Sequence, residues 1–277
     1  GSEMCIRDRT NIGGTSNKGI EISIESQNIV HPNFHWSTTF TLSHNKQMVD
    51  DIGTEDFISA YDSPGNNPYM MYGYVKGYPL NSLWGFKYAG TWKSAEEREK
   101  NEITKTYVSA SNVDGGARYY DINHDGVMSR EDLIYQGNAD PVIYGGLQNT
   151  FYIYGLRLGV YFTYSLGGKI YNYSEIYMAG SQFTNQYRYM QNAWHPVRNP
   201  NSDIPRAGAK SDAALPSDFM IHDASFLRLK NITLSYTFDL KKKCSWLRDI
   251  TLSVSGENLY LWKKYNGFDP DVSTEGT

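Results

Sequence analysis

The sequence predicts an all-β protein: an antiparallel up-and-down meander that is part of a large transmembrane β-barrel, an open partial barrel in this segment. Three observations predict it. Segments that alternate apolar and polar residues recur along the chain, the connections between them alternate between short and long, and tyrosine is abundant, with 23 Tyr against 11 Phe and 6 Trp in 277 residues. Tyrosine carries an apolar ring and a polar tip, which suits surfaces that are wet on one side only.

Six segments read as strands. Residues 19–27 form the first. In the second, Trp36, Thr38, Phe40 and Leu42 lie on one face, and Ser37, Thr39, Thr41 and Ser43 on the other. Period-two alternation of this kind marks a strand with two different environments. Residues 144–154 form the third. The fourth sets Leu156, Leu158, Val160, Phe162, Tyr164 and Leu166 against Arg157, Gly159, Tyr161, Thr163 and Ser165. Its 11 residues match the roughly 9–11 that cross a bilayer when tilted. The fifth, residues 226–238, changes phase: Leu227 and Leu229 are apolar first, then Ile232, Leu234, Tyr236 and Phe238. A bulge near Lys230 or Asn231 accounts for the change. In the sixth, Ile250, Leu252 and Val254 run on towards Tyr260 and Trp262. One short helix is expected within residues 94–105, rich in Glu and Lys.

The connections carry more information than the strands. His31-Pro32-Asn33 joins the first pair, Tyr154-Gly155 the second, and residues 239–249, with Lys241, Lys242 and Lys243, the third. Between the pairs lie long connections, about 48–143 and 167–225. Short turns at one end and long loops at the other are the pattern of an outer-membrane barrel.

Bulk properties exclude several classes. A net charge of −4 without a basic patch gives no nucleic-acid footprint. No run approaches the roughly 18 apolar residues of a membrane helix, and mean hydropathy is −0.55; neither bears on barrel strands, in which only alternate residues are apolar. Cys5 and Cys244 are too far apart in sequence to suggest a disulfide framework or metal site. Residues 1–9 lack the apolar core of a secretory signal and read as a non-native leader, leaving residues 10–277 as the barrel segment.

One motif carries chemistry. Residues 121–132, D-I-N-H-D-G-V-M-S-R-E-D, follow the EF-hand calcium loop with Asp in place of the final Glu. Calcium takes six to eight hard oxygens. Asp121, Asn123 and Asp125 would supply side chains, Val127 its carbonyl, Ser129 a direct or water-mediated contact, and Asp132 the closing carboxylate. Gly126 permits the turn. The alternative is a metal-free loop of Asx-turns. Trp84, Tyr88 and Trp92 in the first long connection and Trp194 in the second are candidate substrate-binding aromatics; alternatively, they fold their own loops. The six histidines, His31, His35, His44, His124, His195 and His222, form no ligand pair. No nucleophile elbow, P-loop or C-x-x-C occurs, so no enzyme activity is expected.

The order of several motifs resembles the SusC/RagA family of TonB-linked outer-membrane proteins. Gly77-Tyr78-Pro79 through Gly85 and Gly90 is similar to a family loop of the form G-x-P-x-x-x-x-x-G, and Asp121 to Gly126 to its D-x-N-x-D-G segment. Gly137-Asn138-Ala139-Asp140-Pro141 with Tyr144-Gly145-Gly146-Leu147 resembles a strand entry, and Ser225-Phe226-Leu227-Arg228-Leu229-Lys230-Asn231 an S-F-x-R-L-K-N strand. Ser255-Gly256-Glu257-Asn258 and Tyr265-Asn266-Gly267-Phe268-Asp269-Pro270-Asp271 match closing segments. The likeness spans about residues 12–275. It implies a barrel of roughly 22 strands in the outer membrane of a Bacteroidetes-type Gram-negative cell. It also implies import of oligosaccharide or peptide, energy from TonB and a SusD-like surface lipoprotein as partner. The plug, the TonB box and a final strand would lie outside this chain. A secreted, calcium-stabilised glycan-binding β-module is the alternative reading.

Overall fold

The computed structural model describes residues 13–55, 57–59, 73–100, 113–172, 174–178, 185–207, 215–240 and 246–271. The leader, Cys5, Cys244 and the second half of the expected helix lie outside the described residues. The chain forms two compact units. One comprises residues 1–18, 47–138 and 171–221, the other residues 19–46, 139–170 and 222–277.

The second unit holds a six-stranded antiparallel sheet. Its strands are β1 (Gly14–His31), β2 (Phe34–Asp51), β9 (Ile143–Ile153), β10 (Leu156–Leu166), β13 (Phe226–Asp239) and β14 (Asp249–Lys263), in the order β1-β2-β9-β10-β13-β14. Each pairs with the sheet strands before and after it in sequence, so the sheet is a meander with two open edges. β1 and β2 each run 18 residues, well past the apolar alternation, and their distal ends belong to the first unit. Ladder pairing needs only backbone partners, so it continues after the apolar face ends; there Ser16 Oγ donates to Asp50 Oδ1 at 3.0 Å.

Register puts the two faces in line. Trp36, Phe151, Leu158, Leu234 and Val254 form one cross-strand row, and Phe40, Leu147, Phe162, Leu229 and Tyr260 another. Directly opposed residues share a face, so these rows build an apolar band, broken in the row between them where Thr38 faces Asn149. On the other face stand Ser37, Thr150, Gly159, Thr233 and Ser255, and Thr39, Gln148, Tyr161, Asn231 and Glu257. Consecutive Tyr161 and Phe162 of β10 pair with Asn231 and Leu229 of β13, which places a bulge at Lys230; β14 in turn carries an extra residue between Glu257 and Tyr260, where Asn258 has φ of 51°. The apolar band is not a core: Leu252 is 61% and Val254 67% exposed, and among the described residues Phe226 and Tyr265 are the only buried apolar side chains of this unit.

Local residues hold the register. Tyr154 and Gly155 have φ of 47° and 88°, the left-handed pair that a two-residue hairpin requires. Gly145 and Gly146 are needed for close approach. A Cβ on Gly145 would lie 2.0 Å from the Thr41 carbonyl oxygen, and one on Gly146 2.8 Å from the Tyr161 ring. Tyr164 Oη donates to that same Thr41 carbonyl at 2.9 Å.

The long connections are not structureless. The first contains β3 (Ile58–Ser59) paired with β4 (Gly73–Tyr74), β5 (Ser82–Gly85) with β8 (Ile134–Asn138), and β6 (Tyr88–Thr91) with β7 (Ala117–Tyr119). Its helix α1 (Ala95–Glu99) is capped by Ser94, whose side chain accepts from Glu97 N. The second holds β11 (Lys169–Tyr171), α2 (Ser174–Met178) and β12 (Ile221–Asp223). Phe86, Ala117, Tyr119, Met128 and Leu215 form a core that draws on both connections, flanked by Tyr88 and Leu133.

A charged side chain on the band should cost far more than one on the polar face. Leu158→Arg is expected to destabilise the full-length protein in lipid by about 2–4 kcal/mol, and Thr150→Arg by within about 0.5 kcal/mol. Urea unfolding from lipid vesicles checks the contrast.

Candidate functional site

Two regions can carry function: the polar face of the sheet and the folded connections. The polar face is lined by Thr, Ser, Gln and Tyr, with His35 and Arg157 near the short turns. His35 Nε2 and Gln27 Oε1 are hydrogen-bonded at 2.6 Å. At the far end Arg228 is buried, with its guanidinium donating to Asp269 Oδ1 at 2.7 Å and stacked 5.3 Å from the Phe226 ring. Asp271 Oδ2 lies 3.4 Å away. The hydrogen bond and charge of Arg228 hold the Asp269 carboxyl below the usual carboxylate range.

The Asp121 loop is a hydrogen-bonded turn. Asp121 accepts from His124 N and Gly126 N, both at 2.8 Å. Asp125 accepts from Val127 N at 2.7 Å and from Asn123 Nδ2 at 3.0 Å, and Asn123 Oδ1 accepts from Asp125 N at 3.2 Å. Asp132, 0% exposed, takes Ile122 N at 2.8 Å on one oxygen and Ser129 N at 2.7 Å on the other. Ser129 completes a capping box, its side chain accepting from Glu131 N at 3.1 Å. Positive φ at His124 (60°) and Gly126 (76°) turns the chain. Both oxygens of Asp121, Asp125 and Asp132 therefore serve N–H donors. Among the described residues, no three His, Cys, Asp or Glu side chains are grouped so as to hold a metal ion.

The four candidate aromatics are built into the connections. Trp84 is 8% exposed and donates its indole N–H to Ser82 Oγ at 2.9 Å. Tyr78, Tyr135 and Phe57 surround it with ring centroids at 4.8, 5.9 and 6.3 Å. Trp92 is 5% exposed beneath the Arg118 guanidinium, 5.4 Å from the ring centroid. Tyr88 Oη donates to Asp203 O at 2.6 Å; burial raises the pKa of this hydroxyl and keeps it a donor. Trp194 packs against Gly115, where a Cβ would lie 2.2 Å from the ring. The rings fill their own loops because burying a large aromatic is the cheapest core available to a short irregular segment.

Two positioning groups gave no sequence signal. Asp218 accepts from Lys87 Nζ at 2.6 Å and from Tyr88 N at 2.7 Å, joining the two long connections; it raises the Lys87 pKa through that hydrogen bond and its charge. Lys93 Nζ reaches Thr91 Oγ1 at 2.9 Å, Ser202 O at 2.6 Å and Asp203 Oδ1 at 2.8 Å. Scattered charges of this kind have no spacing that a reader of sequence can recognise.

Two predictions follow from these geometries. Asp132→Ala removes the buried acceptor of two part-buried N–H groups and should destabilise the loop by about 1 kcal/mol, read as lost hydrogen-exchange protection at the Ile122 and Ser129 amides. Asp223 accepts from the Ser225 hydroxyl, from Ser225 N at 2.9 Å and from Lys264 Nζ at 3.1 Å. These bonds lower its pKa to about 2. A depressed folded pKa stabilises above the unfolded value of about 3.9 and loses that contribution as pH falls through the folded one. Asp223→Asn should therefore remove a pH dependence confined to roughly pH 4 down to 2, measured by acid unfolding of the two proteins.

No family model matches the chain. It is 33% identical over 274 residues to the TonB-dependent receptor P26 of Formosa agariphila, covering 96% of this chain and 26% of the relative. It is 25% identical over 277 residues to the TonB-dependent receptor SusC of Bacteroides thetaiotaomicron, covering 95% of this chain and 25% of the relative. A chain in the structure of the RagAB peptide transporter superposes with a TM-score of 0.72 at 22% identity, covering 94% of this chain and 27% of that one. The chain spans about a quarter of the length of the curated relatives it matches. Over nearly its whole length the chain is thus similar in sequence to about a quarter of the length of TonB-dependent receptors, SusC among them, and it shares the fold of the matching quarter of the RagAB chain.

Proposed function

We propose that the protein to which this segment belongs imports a nutrient across the outer membrane, drawing energy from TonB and working with a SusD-like surface lipoprotein. The observation that carries the reading is the two-faced sheet. One face is apolar and only partly covered; the other is lined with hydroxyls, amides and tyrosines, the side chains that suit an aqueous passage for oligosaccharide or peptide. The long connections, folded around their own aromatic cores, would form the outward surface that meets substrate and lipoprotein. Transport, not catalysis, is the role.

Deletion of the full-length gene should abolish uptake of one oligosaccharide or peptide at limiting concentration, and the same loss should follow deletion of TonB. Uptake unchanged in both strains would overturn the proposal. Which polymer fails identifies the substrate class.

Calcium at the Asp121 loop is a second proposal, supported by the oxygen spacing alone, since a cation would have to gather oxygens that N–H donors now hold. Calcium titration calorimetry of the full-length protein should give heat for wild type and none for Asp125→Ala. Equal titrations would leave the hydrogen-bonded turn as the whole account.

A further inference from the structure

The apolar band is interrupted at one place. Ser26 Oγ donates to Asn28 Oδ1 at 2.8 Å, Asn28 Nδ2 donates to Thr38 Oγ1 at 2.7 Å, and Thr38 Oγ1 donates to Asn149 Oδ1 at 2.7 Å. Trp36 Nε1 donates to the same Asn149 oxygen at 3.0 Å. This chain of hydrogen bonds crosses β1, β2 and β9 on the face that otherwise carries Phe40, Leu147, Val160 and Ile232. An indole nitrogen only donates, so Trp36 fixes which end of the Asn149 amide is oxygen. Asn149 Oδ1 is then filled by two donors. Its Nδ2 carries two further N–H groups, with no partner among the described residues.

A polar notch on a face that meets hydrocarbon needs an acceptor from outside the sheet. Its position says which. Thr38 lies four residues beyond Phe34, where β2 leaves the Pro32-Asn33 turn. That is about 13 Å along the strand, or about 10 Å along the membrane normal at a tilt near 40°. The headgroup layer is roughly 5–8 Å deep on each side, so the notch falls at the boundary of polar and apolar regions. Trp36 stacks on Phe151 with centroids 5.8 Å apart in the adjacent row; Trp favours that same level. A second copy of the sheet would oppose donor to donor. The glycerol ester of a phospholipid offers acceptors only.

We infer that Asn149, held by Trp36 and Thr38, binds the ester carbonyl of a phospholipid in the leaflet at the short-turn end of the barrel. The inference rests on the membrane-barrel reading. It is tested on the full-length protein by native mass spectrometry in detergent, with a diester phosphatidylethanolamine supplied against its diether analogue, which lacks the carbonyls. The expected result is a preference of about fivefold for the diester, the value of one hydrogen bond, that vanishes in Asn149→Leu and weakens in Thr38→Val. Leucine suits the lipid-facing site, and the ester–ether comparison on wild type alone stands if a variant fails to fold. Equal retention of diester and diether by wild type, or a preference that survives Asn149→Leu, overturns the inference. A full-length protein that stays monodisperse in plain buffer without detergent overturns the barrel reading beneath it, and the two failures are told apart by that solubility.

Discussion

Register is the constraint on which the sheet depends. Side chains alternate with a period of two, so a slip of one residue in any strand would exchange its apolar and polar faces. Two tyrosines and two adjacent glycines oppose such a slip. Tyr161 rests on Gly146 on the polar face, and Tyr164 reaches across Gly145 to the Thr41 carbonyl on the apolar one. A Cβ at either glycine would meet backbone or ring, so β2, β9 and β10 fit together in one alignment. The Lys230 bulge then lets β13 rejoin the rows of β10 after its phase change, and an extra residue between Glu257 and Tyr260 does the same for β14.

Most of the sheet was legible in the sequence. The residues of β10 alternate without a break, Tyr154-Gly155 announces a hairpin, and the phase change near Lys230 announces the bulge. What could not be read was length. β1 and β2 extend beyond their alternating cores, because backbone pairing continues where side chains no longer sort by solvent. The connections were less legible for a related reason. Strands such as β6 and β7 span four and three residues, too few to show a period, and their pairing is long-range.

The candidate site residues divide along the same line. Spacing found the Asp121 loop because Asx-turns and Gly126 are local features, and the structure shows that local hydrogen bonds account for both carboxylate oxygens of Asp121, Asp125 and Asp132. Spacing could not tell that Trp84 and Trp92 lie inside. An aromatic that packs a loop and one that stacks on a ligand have the same composition; only the neighbours, Tyr78 and Tyr135 or Arg118, separate them. Asp218 and Lys93, which tie the two connections together, are ordinary charges in the sequence and acquire a role only through partners more than a hundred residues away.

The central claim is that one face of this sheet meets lipid and the other water. Single cysteines placed along β10 in the full-length protein, in membranes, test it directly. The account predicts period-two alternation: fluorophores at positions 158, 160 and 162 quenched by brominated lipid, and those at 157, 159 and 161 reached by a water-soluble quencher instead. Uniform accessibility along the strand, or protection of 158, 160 and 162 from both quenchers, would contradict it.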